Sequence, residues 1–147
     1  LTGLNKKKIK KSIGEELFIK YRRSWDIAPP KIDLNMFDMS IFGYLYKKVP
    51  KKMIPLTESL KDTYKRVIPY YLKEIYPKIN NNKNIIISAH GNSIRALCKY
   101  ILNISDKKIN ELEIPTGNPM HFIFSDKKIV KVYYLDKARA NKIFTNV

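Results

Sequence analysis

One cysteine, two histidines and 13 acidic residues against 29 basic ones set the outer limits of what this 147-residue chain can be. A single thiol, Cys98, cannot build a disulfide framework, and a reducing compartment suits it. No run approaches the roughly 18 to 20 apolar residues that span a bilayer. No apolar stretch follows a basic start either, so no secretory signal is read and the expected location is cytoplasmic. No internal repeat is visible, and the only low-complexity patch is Asn80-Asn81-Asn82-Lys83-Asn84, a polar loop.

The shortage of acid leaves a net charge of +16, which invites a nucleic-acid reading. Against it, the lysines are spread along the whole chain and arginines number only five. Lys, Asn and Ile are abundant together, as in AT-rich coding sequence. The run Lys6-Lys7-Lys8-Ile9-Lys10-Lys11 reads as a solvated helix face, with no aromatic residue interleaved to stack on bases. Compositional bias and an anionic small-molecule substrate are therefore preferred to nucleic acid.

What is present is apolar material for one core, at 44% hydrophobic residues. Asn5 can cap a helix that Gly14 splits in two, with Leu17, Phe18, Tyr21 and Trp25 as a buried stripe. Pro29-Pro30 ends it. Residues 31–50 show no period and are read as a long ordered loop. Thr57 is expected to cap a helix with Leu60, Tyr64, Val67, Tyr71 and Ile75 on one face, kinked at Pro69 and ending near Pro77. Three consecutive isoleucines in 84–89 then predict a strand buried on both faces, hence a parallel sheet under helices. A helix to about Leu102 comes next, and Ser105 caps a short one to about Leu112. Met120 to Phe124 and Ile129 to Leu135 read as strands joined by Ser125-Asp126-Lys127-Lys128. The layout is α/β.

His90 ends the isoleucine segment, where ligands of such folds gather. Ser88-Ala89-His90-Gly91-Asn92-Ser93 would turn from strand directly into helix. Gly91 lets a ligand approach the backbone, and the free amides at the helix start favour phosphate. Asn92 can cap the helix and offer a donor. His90 adds a ring that can be cationic near neutral pH. Together these can neutralise a phosphoryl group in transfer, which is chiefly positioning and charge stabilisation. The plainer alternative is that His90 binds backbone only. Arg22 and Arg23 lie about 100 degrees apart on a helix, where a surface salt bridge competes with anion binding. His121, inside a strand, reads as structural, and Cys98 as packing.

Longer stretches carry a resemblance. Leu56-Thr57-Glu58-Ser59-Leu60, Arg66-Val67-Ile68-Pro69-Tyr70-Tyr71, the segment from Ile87 to Leu97 around His90, and Ile114-Pro115-Thr116-Gly117-Asn118-Pro119 resemble the cofactor-dependent phosphoglycerate mutases of the histidine phosphatase superfamily. Gly3-Leu4-Asn5-Lys6, Arg22-Arg23 and Pro29-Pro30 fall in family order. The resemblance implies a three-layer α/β/α domain with a mostly parallel sheet, of which residues 1–147 are the C-terminal part. It implies interconversion of 3- and 2-phosphoglycerate through a phosphohistidine, primed by 2,3-bisphosphoglycerate, with no metal. By similarity His90 stabilises the transferring phosphoryl group, while Lys6, Arg22, Arg23, Gly91 and Asn92 bind substrate. The implied partners are a phosphorylated acid and further copies of the chain, as a dimer or tetramer, with neither nucleic acid nor membrane. A phosphatase or bisphosphoglycerate mutase of the same superfamily is the nearest alternative, and a non-catalytic basic binding module the more distant one.

The chain departs from that family in four places. The Arg-His-Gly motif with the nucleophilic histidine is absent, as is the acid/base glutamate. The chain opens on Leu rather than Met, so it is read as the remainder of a longer enzyme, inactive alone. Residues 41–52 do not match the family's polar loop. Asp136 stands where a glycine is expected, which argues against a mobile C-terminal lid.

Overall fold

The computed structural model describes residues 4–32 and 48–143. Asn5 caps helix α1 (Lys6–Ile13), its Oδ1 accepting from the amides of Lys7 and Lys8 at 3.0 and 3.3 Å. Gly14 has φ +82°, which a residue with a Cβ adopts only under strain, and it divides α1 from α2 (Glu15–Arg23) as expected. The ordered loop expected over 31–50 falls largely outside the described residues. A single 3-10 turn, Lys51–Met53, comes directly after it.

The long helix α3 (Leu60–Tyr70) is capped by Ser59 rather than by Thr57. Ser59 Oγ accepts from the Asp62 amide at 3.2 Å, and Asp62 Oδ2 accepts from the Ser59 amide at 3.1 Å and its hydroxyl at 2.6 Å. This is a reciprocal capping box. Thr57 is occupied elsewhere, its hydroxyl donating to the Pro29 carbonyl. Pro69 has no amide to donate, and the helix answers with a π turn over Tyr71–Ile75. It resumes as α4 (Tyr76–Asn80), three residues past the expected end.

Helix α5 (Gly91–Ile101) is the spine of the molecule. Four consecutive residues, Arg95 to Cys98, are buried, so neighbours cover it on more than one side. Leu97 joins Ile68 and Tyr71 of the α3 and π segment. Ala96 and Cys98 join Leu60, Leu102, Ile104, Ile109 and Leu112, with Met120, Phe122, Ile129 and Val132 of the hairpin packed against them. Cys98 Sγ lies 3.8 Å from Met120 Sδ, and burial pushes its thiol up to about 12, the state of a packing residue.

Strands β1 (Met120–Ser125) and β2 (Lys128–Tyr134) pair antiparallel. The pairing jumps from Ile123–Lys131 to Phe124–Ile129, so Val130 is the extra residue of a bulge. His121 is exposed on β1, and its Nδ1 lies 2.5 Å from the Tyr133 hydroxyl, which agrees with the structural reading. After β2 the chain is tied down: Asn118 Nδ2 donates to the Asp136 carbonyl and the Asp136 amide to Asn118 Oδ1, both at 2.9 Å. Arg139 Nη2 donates to the Thr116 carbonyl at 2.7 Å.

The fold is thus helices with one small sheet, an α/β arrangement. The expected strand over 84–89 is not formed. Ile86 is 97% exposed, with Ile85 and Ile87 at 37% and 41%, and residues 83–90 pair with no strand. A strand needs neighbours to take its amides and carbonyls. The hairpin is the sheet among the described residues, and its two strands pair only with each other.

Candidate functional site

His90 closes the unpaired segment in an extended conformation (φ −60°, ψ 141°) and becomes the N-cap of α5. Its Nδ1 accepts from the Asn92 amide at 3.3 Å. That bond assigns Nδ1 as acceptor, so in the neutral ring the proton sits on Nε2. The ring is exposed, and Nε2 faces no protein partner among the described residues. The sequence pattern offers Asn92 as the helix cap. The histidine ring takes that place, and the Asn92 side chain turns to the helix side instead.

There it meets Arg95, one turn on. Arg95 Nη1 donates to Asn92 Oδ1 at 2.7 Å, and Arg95 Nε to the Leu112 carbonyl at 3.1 Å. The same carbonyl receives Arg23 Nη1 at 3.5 Å. The end of α2, the loop after the 3-10 turn Ile109–Glu111 and the start of α5 are therefore joined by two guanidinium groups on one oxygen. Arg95 is 7% exposed and has no carboxylate partner among the described residues. Burial pulls its guanidinium down to about 10, and the Arg23 and Arg22 charges act in the same direction. Arg22 lies over the Phe18 ring at 5.3 Å, and with Phe18, Ile19, Arg23 and Asn110 it lines a cleft of about 330 Å³. A larger concavity, about 700 Å³, lies where Tyr64, Tyr71, Lys99 and Tyr100 meet the hairpin turn, and it contains none of these groups.

Gly91 is the first residue of α5. A Cβ there would meet Ile114 Cγ2 at 4.0 Å, ordinary contact, and its φ is not in the left-handed region. Neither packing nor backbone conformation therefore requires glycine at this position. Lys6 is different: it opens α1, is exposed, and no hydrogen bond or ion pair ties it to the His90 group among the described residues. Sequence reasoning misses Arg95 as a site residue. A signal for it exists: one charge inside the apolar run Ile94 to Cys98, three residues after Asn92, hence on the same helix face.

Chemically, the group is a histidine Nε2, the amides of a helix start, of which that of Asn92 is taken by His90 Nδ1, an amide side chain and Arg95 joined through the Leu112 carbonyl to Arg23, with Arg22 beside it and no carboxylate partner among the described residues. It is suited to a small polyanion. Among the described residues no three His, Cys, Asp or Glu side chains gather to hold a metal.

Residues 44–137 match the family model of the histidine phosphatase superfamily (branch 1), and the chain belongs to that superfamily. The match contains His90, Asn92 and Arg95, while Arg22, Arg23 and Lys6 lie before it. Curated relatives named 2,3-bisphosphoglycerate-dependent phosphoglycerate mutase include those of Pelagibacter ubique (strain HTCC1062), 49% identical over 97% of this chain, and Buchnera aphidicola subsp. Cinara cedri, 47% over 92%. That of Xylella fastidiosa (strain M12) is 46% identical over 92%. The chain spans 60%, 59% and 55% of these relatives' lengths.

Proposed function

We propose that this chain is the C-terminal part of a 2,3-bisphosphoglycerate-dependent phosphoglycerate mutase domain, and that the whole domain interconverts 3- and 2-phosphoglycerate in glycolysis. The observation that carries the reading is that His90 and the α5 start are linked, through Arg95 and the Leu112 carbonyl, to Arg23, with no acidic partner for these arginines among the described residues. In this reading His90 donates to the phosphoryl group in flight. Gly91 binds it through its helix-start amide and Asn92 through its side-chain Nδ2 donors, its backbone amide being taken by His90 Nδ1, and Arg22 and Arg23 hold the substrate's phosphate or carboxylate. Lys6 enters the binding set on the family resemblance alone, since nothing among the described residues ties it to the His90 group. A phosphohistidine carries the phosphate, on an Arg-His-Gly segment that these 147 residues do not contain. The bisphosphoglycerate primer suits a cationic cluster of this kind, and Arg22, Arg23 and the α5 amides would hold it. No metal has a part in the reading.

The unpaired isoleucines fit the same account. About two-fifths of each relative's length lies outside the matched region. Strands from such a segment would pair with 84–89, bury Ile86 and build the three-layer, mostly parallel sheet. The domain would act in the cytoplasm as a dimer or tetramer, on a small phosphorylated acid, with its lysine excess compositional.

The test joins the chain to an N-terminal segment carrying Arg-His-Gly. Mutase turnover with 2,3-bisphosphoglycerate, together with none from the 147 residues alone, is the expected result. Turnover by the chain alone, or none from the joined protein, rejects it. Release of free phosphate in place of isomerised substrate would favour the phosphatase reading, which the superfamily also admits.

A further inference from the structure

Arg95 sits where packing alone would place an apolar side chain. Its neighbours in sequence, Ala96, Leu97 and Cys98, are all core. A buried guanidinium with no carboxylate is costly, and an apolar residue of similar volume would be expected to serve the core better. What it does instead is specific. One edge of its fork takes Asn92 Oδ1, and the other takes the carbonyl to which Arg23 is also bonded. With Oδ1 occupied, Asn92 keeps its two Nδ2 protons, and they have no partner among the described residues.

We infer that Arg95 is the positioning residue of the His90 site: its fork fixes the Asn92 side chain so that the Nδ2 donors face the incoming anion, and fixes the reach of Arg23 through the Leu112 carbonyl. The inference rests on the anion-binding reading above and names the group that arranges it. Charge is not the operative property. A lysine keeps the charge and cannot make both bonds in one plane.

The experiment uses the whole 147-residue chain. The Asn92 side-chain amide is followed by NMR, and 3-phosphoglycerate is titrated in. Arg95→Lys should move the Asn92 Nδ2 signals to those of a solvent-exposed amide and weaken 3-phosphoglycerate binding about tenfold or more, the scale of a lost charge-assisted hydrogen bond. Unmoved Asn92 signals, or affinity within about twofold of the parent chain, overturn it. Should Arg95→Lys not fold, Asn92→Asp serves. It supplies the carboxylate Arg95 lacks while removing the Nδ2 donors, so it should raise the melting temperature and abolish binding. An unchanged melting temperature would show that Arg95 does not hold residue 92. If the parent chain binds no 3-phosphoglycerate, the anion-binding reading of this chain fails, while the Asn92 signals still decide the role of Arg95.

Discussion

Ile86 and Ile109 are both isoleucines that hydrophobicity alone assigns to the core, and the structure separates them completely. Ile109 is 0% exposed, inside the cluster with Leu60, Ala96, Cys98 and Leu112. Ile86 is 97% exposed, on a segment with no sheet partner. Truncating Ile109 to alanine removes three buried carbons and leaves a cavity, which costs about 2–5 kcal/mol. Truncating Ile86 removes nothing that is packed and should stay within about 0.5 kcal/mol. Urea unfolding followed by Trp25 fluorescence reads both. That single tryptophan packs edge-on against Tyr64 at 5.4 Å and under the Lys99 ammonium at 4.6 Å, so it reports loss of the core directly. The joined protein supplies the contrast: with strands beside it, Ile86→Ala should rise into the same range of about 2–5 kcal/mol. A cost above about 1 kcal/mol for Ile86→Ala in the 147-residue chain would refute the exposed segment. Equal costs in the two contexts would refute the strand-pairing account.

Three further outcomes rest on the local structure. Ser59→Ala removes the α3 cap and should cost about 1 kcal/mol. The hydrogen bonds from the Ser59 hydroxyl and amide hold the Asp62 carboxyl below its usual 3.8, so the carboxylate's contribution is complete above that value and lost as pH falls through the lowered one; melts across the acid range should show a shallower slope in the variant, which keeps only the amide. Lys127→Gly should stabilise the hairpin by about 0.5 kcal/mol, because Asp126 and Lys127 both hold positive φ (48° and 65°) in the two-residue turn; a lower melting temperature would contradict this. Burial raises Tyr134 from 10.0 to about 12, with its hydroxyl donating to the Glu113 carbonyl at 2.6 Å. Its share of stability is complete below 10 and is lost as pH rises from 10 to 12, so Tyr134→Phe should make the alkaline loss in urea midpoint shallower. Tyr71, also raised to about 12 by burial, keeps part of that loss.

The helices are legible in the sequence because their signals are local. Asn5, Gly14 and the apolar spacing of α3 act within a few residues, and the turn over Asp126 and Lys127 is fixed by its own length. The Ser59 cap is easily misassigned because Thr57 and Ser59 both suit the role. Thr57 is withdrawn by a bond to Pro29, 28 residues away, which no local pattern reports. The isoleucine strand fails for a related reason: pairing is a property of neighbours, and three isoleucines carry the propensity without supplying a partner. At the start of α5, the sequence marks His90, Gly91 and Asn92 as candidates, and the structure sets all three at the first turn of one helix. The sequence assigns the cap to the wrong one of them, and it passes over Arg95, whose role depends on a carbonyl 17 residues away.

The start of α5, with Arg22 and Arg23, is on this account an anion site for a phosphorylated acid. Backbone amide NMR of the 147-residue chain during titration with 3-phosphoglycerate tests that claim most directly. The account predicts saturable shifts concentrated at Gly91 and Asn92, with the Arg22, Arg23 and Arg95 side-chain signals moving in step. Shifts confined to the lysines of α1, or scattered without saturation over the basic surface, would contradict it.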